Sequence, residues 1–541
     1  MEIKKHLFLG AALLLLAAAC TNDNMVQDGN TPNREPGTEG NLTAFVIEDN
    51  SPEAKAAVTR TTGQYSGSGL DFYWTEDDPL WVNKEATGTP DLLKSKRSDI
   101  GERLTDSPVA GGVKRAAKAS FYFDGIFTAE QYTVRYTGKN GSKDKVTIKN
   151  VQTQTVPNDA SHIGESGDCG TAIAHKSGNR YTFMLDHKAA YMVFLPFNTP
   201  GAIAGARLTK IKVTADKAIA GEFDFTDGGI DLNSRPAASA DNKSITLNLP
   251  GNFTVPNQAD KGANAAVMVI APGTYSNFIV EYTLHDPTTN ITGTISKTYP
   301  SVTFTAGNNK RVSMNLQIPV FGSDNYYMWD AAVGKHYWKG FEAYQPMVGT
   351  IGDGSNYPQG ASDPRWFNTT TLSSSKPSLA ATHSCADAPN INECVCYIDK
   401  GKPHWDDTYL WVMKGHLYTK GMWFKKLSVI AQETGKNAAD LKDADYNGYD
   451  WRNKPFGKAT PSNNVIQSGR PDDVEKYFFL PAMGYFTDGT LKDFRVNGFF
   501  WLSTADKWIS SRAHYLYFNS GTARFGDIGG RKSGCYLWKV Q

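Results

Sequence analysis

The sequence predicts a mainly β chain, with two tandem β-sandwich domains over residues 41–186 and 187–320 and an α+β domain over 321–541. Three observations lead there. Aromatic residues make up 12% of the chain and glycines number 50, a mixture that suits short strands and tight turns better than a helical bundle. Strand-like runs of a few residues recur between residues 41 and 318 with turn residues between them. Composition then changes after Pro319, where most of the tryptophans lie and helical spacing first appears.

The first strand is expected at Asn41–Ile47 (NLTAFVI), whose alternation lets one face be buried. Leu70–Val82 (LDFYWTEDDPLWV) has two apolar clusters around an acidic turn and reads as a hairpin with Pro79 near its exit. Strands follow at Tyr132–Tyr136, Val146–Val151, Tyr181–Leu185, Thr209–Thr214, Ser244–Leu249, Ala266–Ile270 and Phe278–Leu284. Ala189–Phe197 (AAYMVFLPF) reads as a short buried strand, and Val302–Phe304 and Val312–Ile318 finish the series. In the last third, Met422–Gly435 (MWFKKLSVIAQETG) has apolar residues at near-helical spacing and a Gly where a C-cap sits. From Tyr477 onward strands and turns return.

The N-terminus carries an export signal. Lys4 and Lys5 precede a wholly apolar or small run from Leu7 to Ala19, too short to cross a bilayer as a helix. That run ends in Ala17-Ala18-Ala19-Cys20, so residues 1–20 read as a lipoprotein signal peptide with Cys20 lipidated, palmitate included. Ordinary cleavage with Cys20 an incidental thiol is the alternative. Residues 21–40 are polar and rich in Asn, Gly and Pro, a flexible tether above the outer membrane. Cys169, Cys385, Cys394, Cys396 and Cys535 remain; export permits disulfides, which makes a stapled C-terminal domain plausible, with at least one thiol left over. With 56 Lys+Arg against 55 Asp+Glu, the formal charge is +1, and no basic excess exists to bind nucleic acid.

These residues resemble a known family. VTRTTG (58–63) followed by LDFYWTEDDPLWV is similar to the start of fimbrillin domains, the subunits of type V pili in Bacteroidales. Tyr181–Phe194 looks like that family's transition strand and Thr294–Leu316 like its closing hairpin. The resemblance implies transthyretin-like sandwiches over residues 41–320. Further on, NINECVCYIDKGKPHWDD, GHLYTKGMWFKK, FFLPAMGYFTDG and FFWLSTADKWISSRAHYLYFNSG resemble a C-type-lectin-like domain of Bacteroidales surface proteins. In fimbrillins an arginine-specific protease cuts an early loop and frees the first strand, and a neighbouring subunit's strand fills the groove. The matching bond is Arg60–Thr61, and the strand to be removed is Asn41–Ile47. Arg60 as one of many exposed loop arginines is the alternative. The chain's last strand, Cys535–Val540, looks internal to the lectin-like domain, so this subunit is expected to accept a strand without donating one, at the fimbrial tip. A permanently lipid-anchored, glycan-binding surface lipoprotein is the competing expectation.

Two clusters could bind ligands. His404-Trp405-Asp406-Asp407 combines carboxylates with an aromatic ring, and Trp501 and Trp508 could line a nearby surface for a glycan or protein. A turn held by the Asp side chains, with the tryptophans in the core, is the alternative. Asp443, Asp445, Asn447 and Asp450 sit at the alternate spacing of an EF-hand-type calcium loop, but Lys454 occupies the twelfth position, and an Asx-rich polar loop is the competing reading. No other cofactor is expected. No H-E-x-x-H, G-x-S-x-G or P-loop signature is present, so no enzyme is expected.

Overall fold

The computed structural model describes residues 42–47, 62–85, 88–346, 356–370, 378–454, 459–526 and 530–540. The expectations for the signal peptide, Cys20, the tether and the Arg60–Thr61 bond lie outside them. The described chain is mainly β.

Alternating β-branched and aromatic residues build the first sheet. Its strand order is Leu92–Lys94, Trp81–Asn83, Gln131–Tyr136, Gly170–Ser177, Arg180–Phe183, Leu42–Ile47, Ser120–Asp124, Arg97–Ser98, with Asp186–His187 also pairing to Gly170–Ser177. Only Ser95 and Lys96 separate the two end strands in sequence. Their amides donate to Leu80 O and Tyr122 O, so the sheet curls until its ends meet at one corner. Phe45, Trp74, Phe121, Val134, Tyr136 and Tyr181 fill its interior.

A second core is built mainly by three sheets, with Tyr65, Leu70 and Phe72 and also Leu410, Val412 and Leu417 packed into it. One has the order Val151–Thr153, Ser244–Asn248, Arg207–Thr214, Gly273–Asp286, Ile291–Phe304; another is Ala266–Ile270, Ala190–Phe197, Asn309–Asn315; the third is Gly229–Ile230, Gly221–Thr226, Lys145–Ile148. Strands Lys145–Ile148 and Val151–Thr153, which precede residue 187, therefore pair with strands that follow it. Ala266–Ile270 is buried at every position, as its unbroken apolar run requires.

The C-terminal region is α+β. A six-stranded sheet runs Tyr326–Tyr327, Cys535–Tyr536, Gly498–Ala505, Ala513–Asn519, Thr522–Gly526, Ser462–Asn463. A four-stranded one runs Gln467–Ser468, His404–Asp406, Gly421–Lys425, Tyr477–Pro481. Helix Ile391–Lys400 starts at Asn390, whose side chain accepts from the Asn392 and Glu393 amides while Glu393 reaches back to the Asn390 amide, a capping box.

Several expectations are corrected. Leu70–Tyr73 pairs with Thr62–Tyr65 rather than with Trp81–Asn83, so 70–82 is no hairpin. Asp78 holds its acidic turn, accepting from the nearby Thr75 amide and hydroxyl and from the distant Tyr136 Oη, which turns the chain between two different sheets. The expected closing hairpin over 294–316 is also split. Ile291–Phe304 pairs with Gly273–Asp286, while Asn309–Asn315 joins Ala190–Phe197 in another sheet. Met422–Gly435 is half strand, because Met422, Trp423 and Phe424 lie in Gly421–Lys425, buried on both faces; the helix starts at Leu427 and ends at Gly435 with φ 68°. Cys169, Cys385, Cys394, Cys396 and Cys535 are all buried free thiols, so no staple forms among the described residues.

The second core carries a pH prediction. His162 donates from Nε2 to Val267 O at 3.0 Å, and its Nδ1 has no partner among the described residues. Burial lowers its pKa from 6.5 to about 4. An unfolded chain takes up this proton below 6.5, and the folded one resists until about 4. The stability at stake is therefore present above pH 6.5 and lost as pH falls toward 4. Full linkage would be worth about 3 kcal/mol, and because the side chain keeps some exposure a loss of about 2 kcal/mol is expected. Denaturant titrations at pH 7 and pH 4 check this: His162→Gln should remove that part of the decline.

Candidate functional site

Two places carry functional potential, and the first is a strand. Leu42–Ile47 lies inside the first sheet, parallel to Arg180–Phe183 and antiparallel to Ser120–Asp124. Phe45 stands opposite Tyr181 on one side and Phe121 on the other. Its side chain and that of Ile47 are buried, whereas Leu42, Thr43, Ala44 and Val46 are half-buried. The Phe45 ring stacks on Tyr181 at 4.7 Å and 13°. Phe123 and Phe127 meet it edge-to-face at 5.0 and 5.2 Å.

The walls of this socket are fixed by hydrogen bonds. Tyr181 Oη donates to Ala129 O at 2.6 Å, and Tyr132 Oη accepts from the amides of Thr128 and Ala129, both at 3.0 Å. Thr43 Oγ1 donates to Gly125 O at 3.0 Å. Taking Leu42–Ile47 away would leave two strands with unpaired backbone groups and an empty aromatic socket between them. Chain continuity makes this a single-cut event. Ile47 connects to the next described strand, Thr62–Tyr65, only through residues 48–61, the segment that contains Arg60.

The second place is the four-stranded sheet of the C-terminal region, which holds His404–Asp406. Asp406 is buried and accepts from the Thr408 amide and hydroxyl, the Tyr409 amide and Trp423 Nε1. Its buried oxygens hold the turn, Oδ1 accepting three of these bonds and Oδ2 the one from Trp423. Trp405 belongs to the core and donates from Nε1 to Asp407 Oδ1 at 2.8 Å. His404 is half-buried, and burial lowers its pKa. Trp501 is fully buried, its Nε1 donating to Tyr327 O, so it has no face to stack on a sugar. Trp508 is 45% exposed on another loop, with Lys507 Nζ 5.2 Å from its ring. These contacts match the reading of a turn held by the Asp side chains, with Trp405 and Trp501 in the core.

The expected calcium loop is likewise held by donors. Asp445 is buried and accepts from the Asn447 and Tyr449 amides and from Trp451 Nε1. Asp450 accepts from Asn392 Nδ2, Arg452 and Asn453 Nδ2, and Arg452 holds its carboxyl below the usual range against the opposing effect of burial. Asp443 is exposed beside Arg452, and Asn447 donates its own amide into the turn. These donors give the segment the form of an Asx-rich polar loop. Among the described residues no group of three His, Cys, Asp or Glu converges as metal ligands would.

Sequence reasoning missed the outer face of the same sheet. Phe479 pairs with Trp423, which pairs with His404. Tyr409 packs 4.7 Å from both Trp423 and Phe479, with the Arg470 guanidinium over Tyr409 and Trp423 at 5.4 and 5.5 Å. Gly421 makes room, since a Cβ there would overlap the Phe479 ring. Alternation in Tyr477–Pro481 is the signal that could have found it: Phe478 and Leu480 face the core, which turns Phe479 outward.

No family model and no curated protein matches the chain. Solved structures do. A candidate cell adhesion protein of Bacteroides ovatus is 14% identical, over 51% of this chain and 91% of its own, with a TM-score of 0.30. A second, from Bacteroides uniformis, is 11% identical over 51% and 93%, with a TM-score of 0.26. A fimbrial protein of Bacteroides ovatus is 9% identical over 86% and 94%, with a TM-score of 0.20. TM-scores this low establish no common fold.

Proposed function

We propose that this chain is a surface fimbrial subunit that assembles by strand exchange after cleavage of the Arg60–Thr61 bond. The observation that carries this reading is the place of Leu42–Ile47: a strand interior to its sheet, preceding nearly everything else, and joined to it by one linker that contains Arg60. A cut after Arg60 severs the strand and its N-terminal leader, Cys20 lipid included, from the rest of the chain, so that only pairing and packing hold it and an incoming strand can displace it. The exposed groove then presents backbone donors, acceptors and an apolar floor to a strand of a neighbouring subunit.

The last described strand is committed to its own sheet. Cys535–Tyr536 is held between Tyr326–Tyr327 and Gly498–Ala505, inside the C-terminal sheet. A subunit that accepts without donating belongs at the fibre tip, where its C-terminal region is the part presented to a glycan or protein ligand. Before cleavage, the lipid on Cys20 holds the subunit at the outer membrane. The role is structural and adhesive, not enzymatic.

Mutation of the cleavage position tests the proposal. Arg60→Ala is expected to be exported and folded but to be missing from sheared fibres on immunoblotting, a loss of at least about tenfold. Incorporation at the wild-type level would end the strand-exchange reading.

A further inference from the structure

We propose that the socket around Phe45 selects the partner: the strand accepted by the groove must place an aromatic side chain opposite Tyr181 and Phe121. This rests on the strand-exchange reading and names the chemistry of the strand that enters.

The socket is shaped for a flat ring. One wall is the Tyr181 ring, parallel to Phe45 within 13° at 4.7 Å. Phe123, Phe127 and Tyr132 approach edge-on at 5.0, 5.2 and 6.3 Å, at interplanar angles of 72°, 76° and 63°. An aromatic guest with one stacked neighbour and several edge-on neighbours satisfies the quadrupoles of all these rings at once. The host rings also brace one another. Phe127 and Tyr132 meet at 5.1 Å and 88°, and Tyr132 and Tyr181 at 5.2 Å and 72°. Tyr181 is further pinned by its bond to Ala129 O.

A socket so braced does not collapse around a smaller guest. An aliphatic side chain leaves part of it empty, and a charged one finds no counter-charge among these rings. The neighbouring positions are far less demanding, because Thr43, Ala44 and Val46 are half-buried. Selection therefore concentrates at one residue, with a second apolar requirement two residues later at the buried position of Ile47.

Peptide uptake tests this on the full chain. The full-length protein is cut after Arg60 with an arginine-specific protease, then mixed with excess fluorescent peptide of residues 41–50 (NLTAFVIEDN) or its Phe45→Ala, Phe45→Leu or Phe45→Tyr version. Anisotropy should show the Phe and Tyr peptides incorporated, Leu weaker, and Ala weaker by more than about a hundredfold. Equal uptake of the Ala peptide would overturn the socket while leaving strand exchange standing. A full-length Phe45→Ala chain, cut in the same way, holds its own strand less tightly and should take up the unmodified peptide faster. If neither cut chain takes up any peptide, strand exchange itself fails and the selection proposal falls with it.

Discussion

A full-length chain carrying Phe45→Ala should unfold its first sheet about 3–5 kcal/mol more easily than the wild type. Phe45 is fully buried, touches four aromatic rings and sits in a strand paired on both sides. Removing its ring empties a socket whose walls are braced and hydrogen-bonded, so little relaxation offsets the cavity. Trp74 reports on the event, since its ring lies 5.0 Å from Phe121 in the same core. A guanidinium titration followed by tryptophan fluorescence should show an early transition shifted to lower denaturant, with later ones unchanged. A shift worth less than about 1 kcal/mol would mean that the strand contributes little to the sheet. In that case its release would have little effect on the groove.

Asp286→Ala is expected to cost about 3–4 kcal/mol at a different place, the junction between the second core and the C-terminal region. Asp286 is fully buried at the end of Gly273–Asp286. It accepts from the amides of Thr288 and Leu417 at 2.9 Å and from His416 Nδ1 at 3.0 Å. Leu417 and His416 belong to the C-terminal hairpin Trp411–Met413 and His416–Tyr418. Thr289 Oγ1 donates to Leu417 O in the same contact. The two regions come together closely because small residues allow it. A Cβ on Gly205 would overlap His416 Nδ1 and sit 2.9 Å from Asp286 Oδ2, and one on Gly293 would overlap Leu410. Gly205→Ala should therefore loosen the same junction by a separate route. Limited proteolysis reads both variants: each should expose cleavage sites around residues 305–325 that the wild type protects. If neither does, the junction does not depend on this contact.

How legible this was in the sequence varied with the range of the interaction. Local pattern placed Leu42–Ile47 and Ala190–Phe197 within one residue, and Ala266–Ile270 without error, because burial on one or both faces is written in the side chains themselves. Pairing was less legible. Residues 70–82 have the look of a hairpin, yet Asp78 steers the chain into a second sheet through Tyr136, which lies 58 residues further on. Met422–Phe424 looked helical because a strand buried on both faces has no period of two.

The sites followed the same division. Asp406 and Asp445 have the composition of ligand-binding carboxylates, but nearby amides and indoles consume their oxygens, which only the folded turn reveals. The socket around Phe45 could not be assembled from sequence. Its rings come from positions 123, 127, 132 and 181, and the strand reaches them through a parallel pairing with Arg180–Phe183 and an antiparallel one with Ser120–Asp124 that no local pattern encodes.

The N-terminal sequence of the mature protein recovered from the cell surface tests the central claim most directly. Strand exchange predicts that the fibre-associated chain begins at Thr61, with Leu42–Ile47 gone from its sheet. A chain that still carries a lipidated Cys20 in all surface material would contradict it, and would make this protein a permanently anchored binding protein with its first strand in place.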